Sequence, residues 1–190
     1  NVNKYLDEIV KIIWYEVGES EDAIGLFTRL NIGKIPLTNA ELVKAMFLSK
    51  DTDEDMDEKK QKEISLQWDN MEKELHSNSL WYFLTNKTNA DDQTRIDLVL
   101  DLISGKSADN REKYYTFFKF DEMRQTERLD DIWRSIQQTF LVLRDWRGNH
   151  EFYHKIGYLI ASGTLTLQKI FDISKEKTKD AFKDSLDEHI

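Results

Sequence analysis

Along most of this chain, apolar residues recur at intervals of three and four. The longest run is Leu129, Ile132, Trp133, Ile136, Phe140 and Leu143, with Arg134, Gln137, Gln138 and Arg144 away from that line. Positions three and four apart share one face of an α-helix, so the run predicts an amphipathic helix with a single buried stripe. Shorter stripes follow the same rule at Ile64, Trp68, Met71 and Leu75, at Ile96, Val99, Leu100 and Ile103, and at Phe152, Ile156, Leu159 and Ile160 after Asn149. From Ser174 onward, Ala181, Phe182 and Leu186 predict a last amphipathic helix with a charged outer face. With one Pro and seven Gly in 190 residues there is little to interrupt helices. The expected fold is mainly α, a multi-helix bundle.

One segment departs from this pattern. Ile9-Val10-Lys11-Ile12-Ile13-Trp14-Tyr15-Glu16-Val17 is rich in β-branched and aromatic residues and stops at Gly18. Apolar groups occupy both alternating faces, as in a buried strand. A helical stripe through Leu6, Ile9, Val10, Ile13 and Val17 fits as well, and periodicity does not separate the two. We favour one short strand near the N-terminus. Its backbone would need pairing partners from outside the segment.

The stretch from Ser20 to Lys50 predicts a helix, a tight turn and a second helix. Ser20 is suited to an N-cap, Glu21 and Asp22 put negative charge in the first turn, and Ile24, Phe27 and Leu30 form the stripe. Asn31 and Gly33 can take the left-handed conformation that ends a helix. Thr38 and Glu41 then have capping-box spacing, with Leu37 and Leu42 placed as a hydrophobic staple. Arg29, Asn31, Gly33 and Lys34 gather at the turn, where an anion could be held at a helix N-terminus. The turn is not a Walker loop, because seven residues separate Gly25 from Gly33 and Ile35 follows Lys34. The alternative is that Gly33 and Pro36 only shape the corner, with Arg29 and Lys34 solvated.

Composition narrows the chemistry. The absence of Cys removes disulfide scaffolds, cysteine-based zinc sites and cysteine nucleophiles. No apolar run reaches about eighteen residues, so no membrane span is expected. The start, Asn1-Val2-Asn3-Lys4, has no basic and apolar leader pattern and no Met, so we expect a fragment of a longer cytoplasmic protein. The 27 Lys and Arg against 36 Asp and Glu give a net charge of −9, which opposes direct binding to nucleic-acid phosphates. The acidic stretch Asp51 to Asp57 reads as a solvated loop leading into a helix. A calcium loop counted from Asp51 would put Met56 at its sixth position and Lys62 at its twelfth, and no other start meets both requirements.

Two motifs bear on function. His150-Glu151-Phe152-Tyr153-His154 matches His-Glu-x-x-His, whose two imidazoles on one helix face can hold zinc while the Glu activates water; Glu176 lies downstream as a possible third ligand. Against a zinc hydrolase, Gly148-Asn149 reads as a helix start where fraying would loosen His150, and Lys155 adds positive charge beside His154. We expect His154 to be a buried or half-buried histidine with a hydrogen-bond partner, and we assign no metal ligands.

The second motif, Phe27-Thr28-Arg29-Leu30-Asn31-Ile32-Gly33-Lys34-Ile35-Pro36-Leu37-Thr38-Asn39-Ala40-Glu41-Leu42, resembles the signature of the GmrSD-type restriction endonuclease N-terminal domain family. Trp68, Glu72, Leu75, Trp81 and Phe83 with Thr94-Arg95-Ile96-Asp97 are similar to that family's helical middle. So are Ile132-Trp133, Phe140, Trp146 and the run Phe152-Tyr153-His154-Lys155-Ile156-Gly157-Tyr158-Leu159. The resemblance implies a prokaryotic cytoplasmic defence nuclease, active against phage and often directed at modified DNA. Its N-terminal part would be ParB- or sulfiredoxin-like with an Asp-Gly-Gln-Gln-Arg motif tied to nucleotide use, and many members carry a C-terminal HNH nuclease domain. Neither pattern occurs in this sequence. The implied division is residues 1–50 as the end of the nucleotide-handling domain and 51–190 as a helical domain. Arg29, Asn31, Gly33 and Lys34 are the implied nucleotide contacts, with no catalytic residue in the fragment. No cofactor is expected in it, whereas nucleotide and divalent metal would serve the full-length protein. The implied partners are the flanking domains, with DNA engaged through the whole protein. A helical protein-interaction module is the further alternative.

Overall fold

The computed structural model describes residues 37–49, 58–86 and 94–190. The N-terminal strand, the acidic segment 51–57, and the turn with Arg29, Asn31, Gly33 and Lys34 lie outside the described residues. The chain divides into two compact units, Asn1–Leu37 and Thr38–Ile190. Among the described residues there are nine helices and no strand: α1 (Asn39–Leu48), α2 (Glu58–Leu75), α3 (Asn78–Thr85), α4 (Asp97–Ser104), α5 (Tyr115–Arg124), α6 (Leu129–Gly148), α7 (His150–Ala161), α8 (Leu167–Glu176) and α9 (Lys179–Asp187). The mainly α, multi-helix architecture predicted from periodicity is therefore present among the described residues.

Helix α6 is the axis of the second unit, packing against α3, α4, α5 and α7. Its six predicted stripe residues are all buried, with Ile132, Ile136 and Leu143 fully enclosed. Burying a side chain of this size contributes about 1.5–3 kcal/mol, so this one stripe is a large part of what holds the unit together. At one end Trp133 lies parallel to Trp68 of α2, at a centroid distance of 6.3 Å, and edge-on to Phe47 of α1 at 5.6 Å. Its indole Nε1 donates to Gln67 Oε1 at 3.1 Å, so the ring is buried without leaving its donor unpaired. At the other end Trp146 meets Phe171 of α8 and Phe182 of α9, and Phe152 of α7 closes on Phe182. Helix α1, which sequence reading grouped with residues 1–50, packs on α2, α4 and α5 within Thr38–Ile190.

Sequence expectations need correction in three helices. The last helix does not begin near Ser174. Helix α8 runs to Glu176, and α9 starts at Lys179 behind Thr178, whose hydroxyl accepts from Ala181 N. A Thr able to cap in the extended conformation competes with helix continuation, and here it wins. Ala181, placed on the buried stripe by periodicity, is exposed, while Phe182 and Leu186 are buried as expected. In α4, Leu102 is buried where Ile103 was expected, and Ile103 is only half-buried, as is Ile160 on the expected stripe of α7.

Candidate functional site

The described part of the family-like signature begins at Thr38, and its capping box is complete. Thr38 Oγ1 accepts from Glu41 N at 3.2 Å, and Glu41 Oε2 accepts from Thr38 N at 2.8 Å. Further donors at this helix end are satisfied from elsewhere. Ala40 N donates to Asp97 Oδ1 at 2.8 Å, across 57 residues of sequence. Two stretches that sequence analysis singled out, Thr38 to Glu41 and Thr94 to Asp97, therefore meet in one junction.

Capping between helices continues around that junction. Helix α4 has no side-chain cap on its own N-cap residue, Ile96. Glu72 of α2 supplies one, accepting from Arg95 N at 3.0 Å and Ile96 N at 3.3 Å. Asn39 of α1 does the same for α5, accepting from Phe117 N at 3.1 Å while its amide donates to Lys113 O at 2.9 Å. A carboxylate or carboxamide near a helix start pairs donors that would otherwise be orphaned, and a carboxylate also faces the positive end of the dipole. The order is α2 to α4, α4 to α1, and α1 to α5.

Arg95 sits at the centre of this arrangement and is buried, with 5% exposure. Its guanidinium lies over the Trp81 ring, 4.9 Å from the centroid, and donates to Leu75 O at 3.1 Å at the C-terminal end of α2. Asp97 accepts a second hydrogen bond from Thr94 Oγ1 at 2.6 Å. Both bonds favour the carboxylate, yet burial raises its pKa to about 6, with Asp101 and Glu72 adding repulsion. Asp101 is also raised by burial, against a hydrogen bond from the Thr116 hydroxyl and attraction to Lys106. These raised carboxyls belong to the packing of helix ends.

The His-Glu-x-x-His segment opens α7. Asn149 caps it, accepting from Glu151 N at 3.0 Å and Phe152 N at 3.2 Å, so the predicted helix start is present. His154 is exposed rather than buried or half-buried. Its position falls on the solvent side because Phe152, Ile156 and Leu159 take the buried face of α7. It does have a hydrogen-bond partner, His150, with the two Nε2 atoms 3.1 Å apart. Glu151 is engaged elsewhere, by Lys183 of α9 at 2.5 Å and Lys155 at 3.2 Å. Those two ammonium groups, Lys183 first, hold its carboxyl below the ordinary carboxylate range. Among the described residues, no group of three or more His, Asp or Glu side chains is gathered as a metal site. Glu176, the downstream candidate, ends α8 in an exposed position. The segment thus has two adjacent imidazoles and a Glu already bound in ion pairs.

Beside His154 an open groove of about 530 Å³ runs between α3 and α7. Tyr82, Phe83, Tyr153 and Tyr158 line it, and Gly157 lies beside the Phe83 ring, where a Cβ would make an ordinary contact at 3.7 Å. No described helix is long and apolar enough to cross a membrane.

No protein-family model, no curated protein and no solved structure matches this chain.

Proposed function

We propose that this chain is the helical part of a GmrSD-type, modification-dependent DNA restriction endonuclease, where it positions neighbouring domains and carries no catalytic centre of its own. The observation that supports this reading best is the role of the residues that bear the resemblance. Trp68, Leu75, Trp81, Phe83, Ile132, Trp133, Phe140, Trp146, Phe152, Ile156 and Leu159 are buried. Thr38, Glu41, Glu72 and Asp97 spend their oxygens on helix starts. Tyr153, His154 and Tyr158 of the same set are exposed, but a residue set used mostly for packing and capping suits a scaffold. The net charge of −9 agrees, since such a surface is suited to protein neighbours more than to DNA phosphates. In this reading Arg29, Asn31, Gly33 and Lys34 face nucleotide held mainly by the preceding domain, and divalent metal belongs to the nuclease domain that follows.

The isolated chain should neither cut plasmid or phage DNA nor hydrolyse nucleoside triphosphates in magnesium buffer. Turnover that disappears in an Asn31→Ala, Lys34→Ala double variant would overturn the scaffold reading and make the turn an active site.

A further inference from the structure

His150 and His154 stand one turn apart at the exposed start of α7, outside the packing roles assigned above. Their Nε2 atoms are 3.1 Å apart and their ring centroids 4.3 Å apart. The nitrogens are thus closer than the rings that carry them, and each Nε2 lies on the side of its ring nearer the other. Two imidazole nitrogens each about 2.1 Å from one metal ion, and separated by this distance, subtend about 95° at that ion. The two nitrogens are thus spaced so that both can reach one divalent ion.

We propose that His150 and His154 form a two-nitrogen chelate for a square-planar or tetragonal divalent ion, Cu(II) or Ni(II), with water completing the coordination. Affinity order points to Cu(II), because nitrogen sites bind it most tightly among the first-row divalent ions. Backbone geometry holds the pair: the Asn149 cap fixes the first turn of α7, and the i, i+4 spacing fixes the two side chains on one face. Glu151 takes no part, since Lys183 and Lys155 occupy it. The site binds metal without the general base that a His-Glu-x-x-His hydrolase needs. Bound metal would link both ends of the first turn of α7 and stabilise the fold by mass action.

The test is titration of the full chain with Cu(II) alone at pH 7.5, followed by electron paramagnetic resonance and calorimetry, with thermal melting in Ni(II) as a second readout. The expected result is one Cu(II) per chain, a tetragonal spectrum with two nitrogen couplings, and a melting temperature raised by Ni(II). His150→Ala and His154→Ala should each weaken binding by about tenfold or more and remove the Ni(II) shift, while His76→Ala leaves both unchanged. Both sites are exposed, and unchanged circular dichroism would show that the variants are folded. Absence of saturable binding overturns the proposal. Binding that survives His154→Ala, or zinc held more tightly than Cu(II), does so equally.

Discussion

The Asp97 carboxyl accepts hydrogen bonds from Ala40 N and Thr94 Oγ1, and it still titrates near about 6 because its burial outweighs both. Its value in the unfolded chain is the ordinary 3.8, so between the two values the folded chain holds the proton more tightly. The contribution of this group to stability is greatest below the unfolded value and is lost as pH rises through about 6. Asp97→Asn keeps an oxygen acceptor for Ala40 N and removes the titration. The stability of the native chain relative to this variant should therefore fall by about 2 kcal/mol between pH 4 and pH 7. Urea melts at a series of pH values measure that difference, and a constant difference would contradict the raised value. Little of this was legible in the sequence. Thr94-Arg95-Ile96-Asp97 stood out only through a resemblance, and burial of an Asp depends on which distant backbone it caps. His154 was misread for the related reason that its neighbours, and not its own identity, determine which side of α7 is buried.

Helices were the most legible elements, and their ends the least. The stripe from Leu129 to Leu143 and the Thr38–Glu41 box are encoded within a few residues, so both could be read directly. Caps supplied by Glu72, Asp97 and Asn39 join positions 23 to 78 residues apart, and no local pattern announces them. Thr178 was missed because residues 174–180 hold no apolar position to locate the break, and Ser174 is an equally acceptable cap by residue type. Capping between helices should couple the elements it joins. Asn39→Ala removes one hydrogen bond from α1 to α5 and one to Lys113 just before it, and Glu72→Ala leaves two donors at the start of α4 without their acceptor. Each should cost about 1–2 kcal/mol in denaturant melts. The double variant should depart from additivity by about 0.5 kcal/mol or more, because α1 and α4 meet at Asp97. Strict additivity would mean that the two helix starts behave independently.

For the molecule as a whole, the described helices account for residues from Thr38 onward, and the four turn residues proposed to face nucleotide lie before them. Composition had already excluded cysteine chemistry, and the all-α architecture followed from spacing; neither names a reaction. The functional reading rests on the resemblance, together with the finding that most of its described residues build packing and caps. It depends on reactive groups located in adjoining domains. The reading frame of the parent gene on both flanks of this chain is the most direct measurement of that claim. The account predicts an Asp-Gly-Gln-Gln-Arg motif shortly before Asn1 and an HNH pattern beyond Ile190. A frame that opens at Asn1 and stops after Ile190, with neither motif, would contradict it.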